Sequence, residues 1–434
     1  MADPPFFASA RHQRTAATGD VERKAPARLI SPRPKAPPLR SPYASIAALL
    51  VSVAGVLAGN GVLTTLLPVR AELEHFPALA ISLMGSAYFG GMLTGAILTP
   101  RLVQRFGHIK AFGLSSFCGA LMILAAGTFV EPHAWVCIGF LRGFFLAGIY
   151  AIVESYLQGK AENRIRGRLL GLYSITQYGG WAIGNQFMRL GDPHAFTIFG
   201  IAAAVLTVFL SPLLLIKDGR PPKDSPRPSM RLLWLLKTTP VGFVCAGLIG
   251  FANGPFWSLT PVYATKLGMD GVQTGTLVSA ITIGSAAFQF PVGRLSDAFD
   301  RRKVLIGLCI LTALFEVGIY WSGARLIGWP FVAVGFIIGG TISTQYYVSS
   351  AFTNDITGRD NVVGVASALL FLYCIGAVLG PVTAYYIMRW LGDSALYLHN
   401  AGIHVAMAVF VMLRVLRSPG MEKVAGSADV LARS

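Results

Sequence analysis

Charge is what this chain is short of. Only 13% of its 434 residues are Asp, Glu, Lys or Arg, and acids are scarcer than bases, 20 against 36. With 54% apolar residues and a mean hydropathy of +0.59, the composition excludes the two or three soluble domains that the length would allow. Cysteine is sparse too. Cys118, Cys137, Cys245, Cys309 and Cys374 stand singly in apolar stretches without paired spacing, which reads as small core hydrophobes and excludes a disulfide or metal framework. No G-x-x-x-x-G-K-[ST] loop is present to cradle a nucleotide phosphate, and no H-E-x-x-H or G-x-S-x-G constellation supports an intramembrane hydrolase. The reading is a non-enzymatic membrane protein with no cofactor and no metal.

What the sequence has instead is long apolar runs. A helix needs roughly 20 apolar residues to cross the hydrocarbon core, because it rises about 1.5 Å per residue and lipid offers no partner for backbone polar groups. Tyr43 to Val69 contains no Asp, Glu, Lys or Arg. Cuts at charge and Gly/Pro clusters give six spans near 43–69, 77–100, 111–130, 133–158, 168–190 and 195–216, and six more near 239–264, 271–293, 304–322, 326–350, 362–388 and 395–413. The predicted fold class is therefore all-α with twelve transmembrane helices. Its parts are a Pro/Arg-rich tail over 1–42 that reads as disordered, a six-helix bundle over 43–216, a Pro-rich basic linker over 217–238 (KDGRPPKDSPRPSMRLLWLLK), a second bundle over 239–416, and a tail over 417–434. The first tail lacks a short apolar core followed by a small-residue cleavage site, so it is not read as a signal peptide; a misassigned start would also produce it.

Basic residues set the orientation. With the first tail in the cytoplasm and loops alternating sides, 30 of the 36 Lys and Arg fall on the tail's side. Arg70, Arg189, Lys266, Arg325 and Arg389 fall opposite, and Arg142 lies within a span. Both termini are expected in the cytoplasm of a plasma (inner) membrane protein. The net charge of +16 is then topology and attraction to anionic lipid, not a nucleic-acid footprint.

The spans repeat. Asn60-Gly61, six residues, then Pro68-Val69 returns as Asn253-Gly254, six residues, then Pro261-Val262, an offset of 193. The same offset matches Ser86-Ala87 to Ser279-Ala280, Gly91 to Gly284, Arg101-Leu102 to Arg294-Leu295 and Lys110 to Lys303. Two modules of one orientation imply a pseudo-twofold axis along the membrane normal and a site between the modules near mid-membrane.

GRLSDAFDRRK, Gly293 to Lys303, concentrates charge between two apolar spans. With the topology, this stretch resembles the loop signature of the major facilitator superfamily of secondary transporters. The resemblance implies two pseudo-symmetric six-helix bundles working by alternating access. It also implies a gating role for Gly293, Arg294, Asp297 and Arg301; Asp297 can pair with arginine or with a helix N-terminus from the opposite module, contacts that latch the cytoplasmic side shut. The alternative is that these charges only fix topology. The first half departs from the signature: PRLVQRFGHIK has Pro100 for the glycine and Gln104 for the aspartate, so the acidic latch is single.

Ionisable groups inside spans are costly and few. Arg142, in FLRGFFLAGIY, resembles the family's fourth-helix arginine motif but has Leu146 where that motif has glycine. Glu154 lies twelve residues on, about 18 Å along the helix and about 120° around it, so Arg166 or Arg168 is its nearer expected partner. Glu154 and Glu316 are the candidates for proton coupling; Glu316, on a helix the family places peripherally, reads equally as a structural group. The family's cavity-lining helices carry Asn60 and Thr64, their repeat partners Asn253 and Trp257, and Gln345 with Thr341. Gln177 lies in the fifth span, GLYSITQYGGWAIGNQF, where Asn185 replaces the proline of the antiporter motif; in the eleventh, Gly376, Gly380 and Pro381 complete a kink. Expected substrate contacts are Asn60, Thr64, Arg142, Gln177, Asn253, Trp257 and Gln345, although Asn-Gly before proline also reads as a helix-bending element. The function expected is secondary transport, active or facilitative, of a small organic solute by a monomer in contact with lipid. The alternatives are a lipid or amphiphile exporter and a non-transporting receptor or scaffold of the same fold.

Overall fold

The computed structural model describes residues 42–160, 166–212, 230–358 and 361–417; the tails and the first part of the linker lie outside them. The described residues form helices without a strand. The first six are α1 (Pro42–Leu73), α2 (Ala78–Phe106), α3 (His108–Thr128), α4 (Pro132–Lys160), α5 (Arg166–Asn185) and α6 (Thr197–Val208). A short helix in the linker, α7 (Leu232–Thr238), precedes α8 (Pro240–Lys266), α9 (Gly271–Ala298), α10 (Arg301–Ser322), α11 (Trp329–Thr357), α12 (Val362–Leu391) and α13 (Ala395–Arg417). Ten of these are long and apolar enough to cross a membrane. The more polar α5 and the 12-residue α6 complete the twelve.

Local chemistry ends the helices where charge and glycine interrupt the apolar runs. Gly107 divides α2 from α3 at φ +83, a conformation that disfavours a side chain. Asp270 caps α9: its carboxylate accepts from the Gln273 amide at 2.7 Å and the Gln273 side chain returns the bond at 3.1 Å. Asp300 caps α10, accepting from the Arg302 amide at 2.9 Å. The linker is not wholly irregular. In α7, Leu235 is buried against Ala246, Val365 and Leu369, so the final turn of the linker is packed onto the second bundle.

Packing repeats between the halves as the sequence does. α2 packs on α4 and α1 on α5, as α9 packs on α11 and α8 on α12. A methyl group on Gly91 would overlap the Phe140 carbonyl, and one on Gly284 the Phe336 carbonyl; Gly143 against Tyr88 is matched by Gly339 against Ile281. The same holds for Gly184 against Ala58 and Gly380 against Phe251. In lipid, where apolar side chains gain nothing by leaving the solvent, such close backbone approach is what holds helices together. The halves meet along two seams, α2 on α12 and α5 on α9, with α1 against α8 between them. The pattern is a pseudo-twofold arrangement of two six-helix bundles.

Candidate functional site

A cavity of about 310 Å³ lies between the halves. Asn253, the fourteenth residue of the 27-residue α8, and Gln177, near the middle of α5, put it at mid-depth. Nine of its sixteen lining side chains are aromatic, and none is Asp, Glu, Lys, Arg or His, so its walls offer π-faces, hydroxyls and amides and no charge. The aromatics are held in place by their polar ends. Trp181 Nε1 donates to Tyr150 Oη at 2.8 Å, Gln289 Nε2 donates to Tyr178 Oη at 2.7 Å, and Tyr178 Oη lies 3.3 Å from Tyr347 Oη. Tyr346 and Tyr373 meet edge-on with centroids 5.4 Å apart.

Thr64, Gln177, Asn253 and Trp257 line this cavity. The Asn253 amide donates to Tyr373 Oη at 3.4 Å through Nδ2, and its Oδ1 has no partner among the described residues. Thr64 Oγ1 lies 3.0 Å from Asn185 Oδ1, which Thr65 also reaches at 2.8 Å. Asn185 thus fills its proline-replacing position with a buried polar knot between α5 and α1.

Arg142 lies in a side chamber of about 80 Å³ that shares Thr64, Tyr88, Phe89 and Trp257 with the cavity. Its guanidinium is 5.0 Å from the Tyr88 ring centroid. Asn60 and Gln345 line neither chamber. Asn60 is buried and returns its amide to the Val56 carbonyl at 3.1 Å, and Gln345 points to α10, donating to Thr312 Oγ1 at 3.0 Å.

The two glutamates are in unlike places. Glu316 is fully buried, with Oε2 2.8 Å from Nδ1 of His404 on α13. Glu154 is exposed on α4, one helical turn beyond the cavity residue Tyr150. The side chains of Arg166 and Arg168 lie outside the described residues.

In the charged loop Gly293 has open space around it, and the Arg294 guanidinium stacks 4.1 Å from the Phe290 centroid. Asp297, 70% exposed, pairs with Arg301 at 2.9 Å, and Arg301 reaches Asp355 of α11 at 2.7 Å; these partners belong to the same half. The best-buried ion pair of the loop is a different one, Asp300 with Arg302, at 2.7 Å. Partial burial alone would raise the Asp300 carboxyl; hydrogen bonds from the Arg302 side chain and backbone outweigh it and hold the group below the ordinary aspartate range. A carboxyl lowered in the folded state contributes stability that is present above its unfolded pKa of about 3.9 and lost as pH falls through the lower folded value. Asp300→Ala is expected to destabilise the protein by on the order of 2 kcal/mol at pH 7, from the lost cap and the stranded arginine. Its unfolding midpoint should converge on the wild type's as pH is lowered below 4; a constant gap would show that the pair contributes nothing through charge.

Where the halves meet at the end away from the α9–α10 loop, Gln186 Nε2 donates to Ser279 Oγ at 2.6 Å and Ser279 Oγ donates to the Ala182 carbonyl at 2.9 Å. Arg189 donates to Thr276 Oγ1 at 3.1 Å. These bonds join the last turns of α5 and the residues after it to the first turns of α9.

Sequence comparison decides the family. The Major Facilitator Superfamily model matches residues 6–185 and 242–432. This chain belongs to that superfamily. It is 28% identical to the MFS-type transporter YcaD of Escherichia fergusonii over 82% of this chain and 90% of that protein, and 26% identical to YcaD of Shigella flexneri over 83% and 92%. Among solved structures, the nucleoside transporter NupG aligns at a TM-score of 0.71 over 85% of this chain and 98% of its own, with 14% identity. A D-xylose-proton symporter aligns at 0.62 over 84% and 96%, with 15% identity. Those two likenesses are of fold. As a superfamily member with this helix content, the chain is a multi-pass membrane protein of the solute-transporting class.

Proposed function

We propose that the protein carries a small organic solute across the inner membrane by alternating access, working as a monomer with both termini in the cytoplasm. The observation that carries this reading is the uncharged, aromatic cavity at mid-depth between two repeat-related halves. The Gln186–Ser279 and Arg189–Thr276 bonds support a state closed on the outer side, and the exposure of Asp297, with its partner in its own half, supports a cytoplasmic side that is unlatched. Thr64, Gln177, Asn253 and Trp257 are the proposed solute contacts: Trp257 offers a stacking face, and Asn253 an amide oxygen without a partner among the described residues.

If protons drive the cycle, Glu154 is the better candidate, because it is an exposed residue one helical turn beyond the cavity residue Tyr150 while Glu316 is sealed against His404 between α10 and α13. The test is uptake of a mixed metabolite pool into proteoliposomes, read by mass spectrometry with and without an imposed proton gradient. Wild type should accumulate a small set of solutes, and Trp257→Ala should reduce that accumulation at least tenfold while remaining folded. Glu154→Gln should remove only the part that depends on the gradient. Movement of lipid or detergent-like amphiphiles alone would favour an exporter of those compounds, and movement of nothing would favour a receptor.

A further inference from the structure

Arg142 is 7% exposed, and among the described residues it forms no hydrogen bond or ion pair; its Nε is buried without a partner. Among the described residues, no Asp or Glu lines its chamber or the adjoining cavity. A guanidinium taken out of water is retained at high cost unless an opposite charge meets it, and the Tyr88 ring compensates only part of that. The side chamber, about 80 Å³, is large enough for a carboxylate and too small for a ring system with substituents, whereas the cavity it opens beside holds about 310 Å³ and is walled by aromatics. Trp257, Tyr88 and Thr64 line both spaces, so one molecule can bridge them.

We infer that the solute is a monovalent organic anion with a flat, unsaturated body, its carboxylate on Arg142 and its ring against Trp257 and the cavity tyrosines. This deepens the transport reading and rests on it. One uncompensated cation accommodates one negative charge; a second would be buried without a partner. A cationic solute finds no acid among the described residues that line either chamber, and it meets the field of Arg142 at short range. A neutral ring keeps the stacking and loses the charge-assisted hydrogen bonds.

Three ligands of one shape separate these cases: 2-naphthoate, 2-naphthamide and 2-naphthamidinium, titrated against the purified full chain in nanodiscs by tryptophan fluorescence. The naphthoate is expected to bind about 10- to 100-fold more tightly than the amide, the range of hydrogen bonds to charged groups, and the amidinium not at all. Arg142→Gln should erase the preference between acid and amide. It should also leave the unliganded unfolding midpoint unchanged or raised, because it removes a buried charge with no partner; a merely structural arginine would lower it. Equal binding of acid and amide, or an acid preference that survives in Arg142→Gln, overturns the inference. So does binding of chloride alone in competition with naphthoate without any contribution from the ring. If wild-type proteoliposomes accumulate only neutral solutes, this inference fails and transport stands. If naphthoate binds as described and no solute moves, the transport reading fails and the anion site stands.

Discussion

Alanine at Gly91, or at its repeat partner Gly284, is expected to cost the fold at least about 2 kcal/mol, and leucine at either position to prevent a folded protein from being recovered. At both positions the added carbon meets a backbone carbonyl, Phe140 on α4 and Phe336 on α11. A carbonyl cannot rotate away as a side chain can, so the helices must separate, and the seam between α2 and α4 or between α9 and α11 loses its contacts along its length. Membrane helices depend on that proximity, since their apolar side chains are as well solvated by lipid as by each other. Gly113 and Gly307 supply the control: both are helical, and nothing lies within 4 Å of an added methyl. Alanine there should be neutral or stabilising by up to about 1 kcal/mol through helix propensity alone. Thermal unfolding of the four alanine variants in one detergent checks the contrast, and the interpretation fails if Gly91→Ala and Gly113→Ala unfold together.

That pair of crossings also shows what could be read from residues and what could not. The offset of 193 carries α1 and α2 onto α8 and α9 without a gap, because the loop between the paired helices keeps its length. The equivalences on α4 and α5, Gly143 to Gly339 and Gly184 to Gly380, need an offset of 196, so an ungapped comparison loses register before it reaches them. Spans were legible because composition must match the bilayer wherever a helix crosses it. Side-chain direction was not. Asn60 and Asn253 occupy equivalent places, yet one returns its amide to its own helix and the other reaches Tyr373 on α12. Gln345 shares a helix with the cavity residue Ser343 but faces α10. His404 lies 88 residues from Glu316, with no spacing to connect them before α10 and α13 are packed together. Asp300 was hidden by Asp297, because charge density singled out the loop and only burial distinguishes the acid that is paired inside it. The cavity tyrosines, from Tyr88 to Tyr373, follow no periodic pattern that would separate them from lipid-facing aromatics.

Cysteines at Gln186 and Ser279, joined by a short thiol-reactive crosslinker, should abolish solute movement completely, with recovery when a cleavable linker is reduced. The two side chains are in hydrogen-bond contact at 2.6 Å, on opposite halves and at the far end from the charged loop. If the halves rock about a central site, this contact must open once in each cycle, because a cavity sealed there gives no exit on that side. A hydrogen bond worth about 1 kcal/mol can break at every turnover, whereas a covalent bridge cannot. The exposed Cys137 and the partly buried Cys118 are replaced by serine beforehand to keep the chemistry at the intended pair. Each single cysteine variant should retain transport: Ser279→Cys loses at most the bonds to Gln186 and to the Ala182 carbonyl, and each side-chain hydrogen bond lost shifts the balance between states by about a factor of five. Binding of a solute from the charged-loop side should survive the crosslink, which separates a trapped transporter from an unfolded one. Undiminished transport in the bridged protein would mean that this contact does not open during the cycle and that the solute leaves by another route.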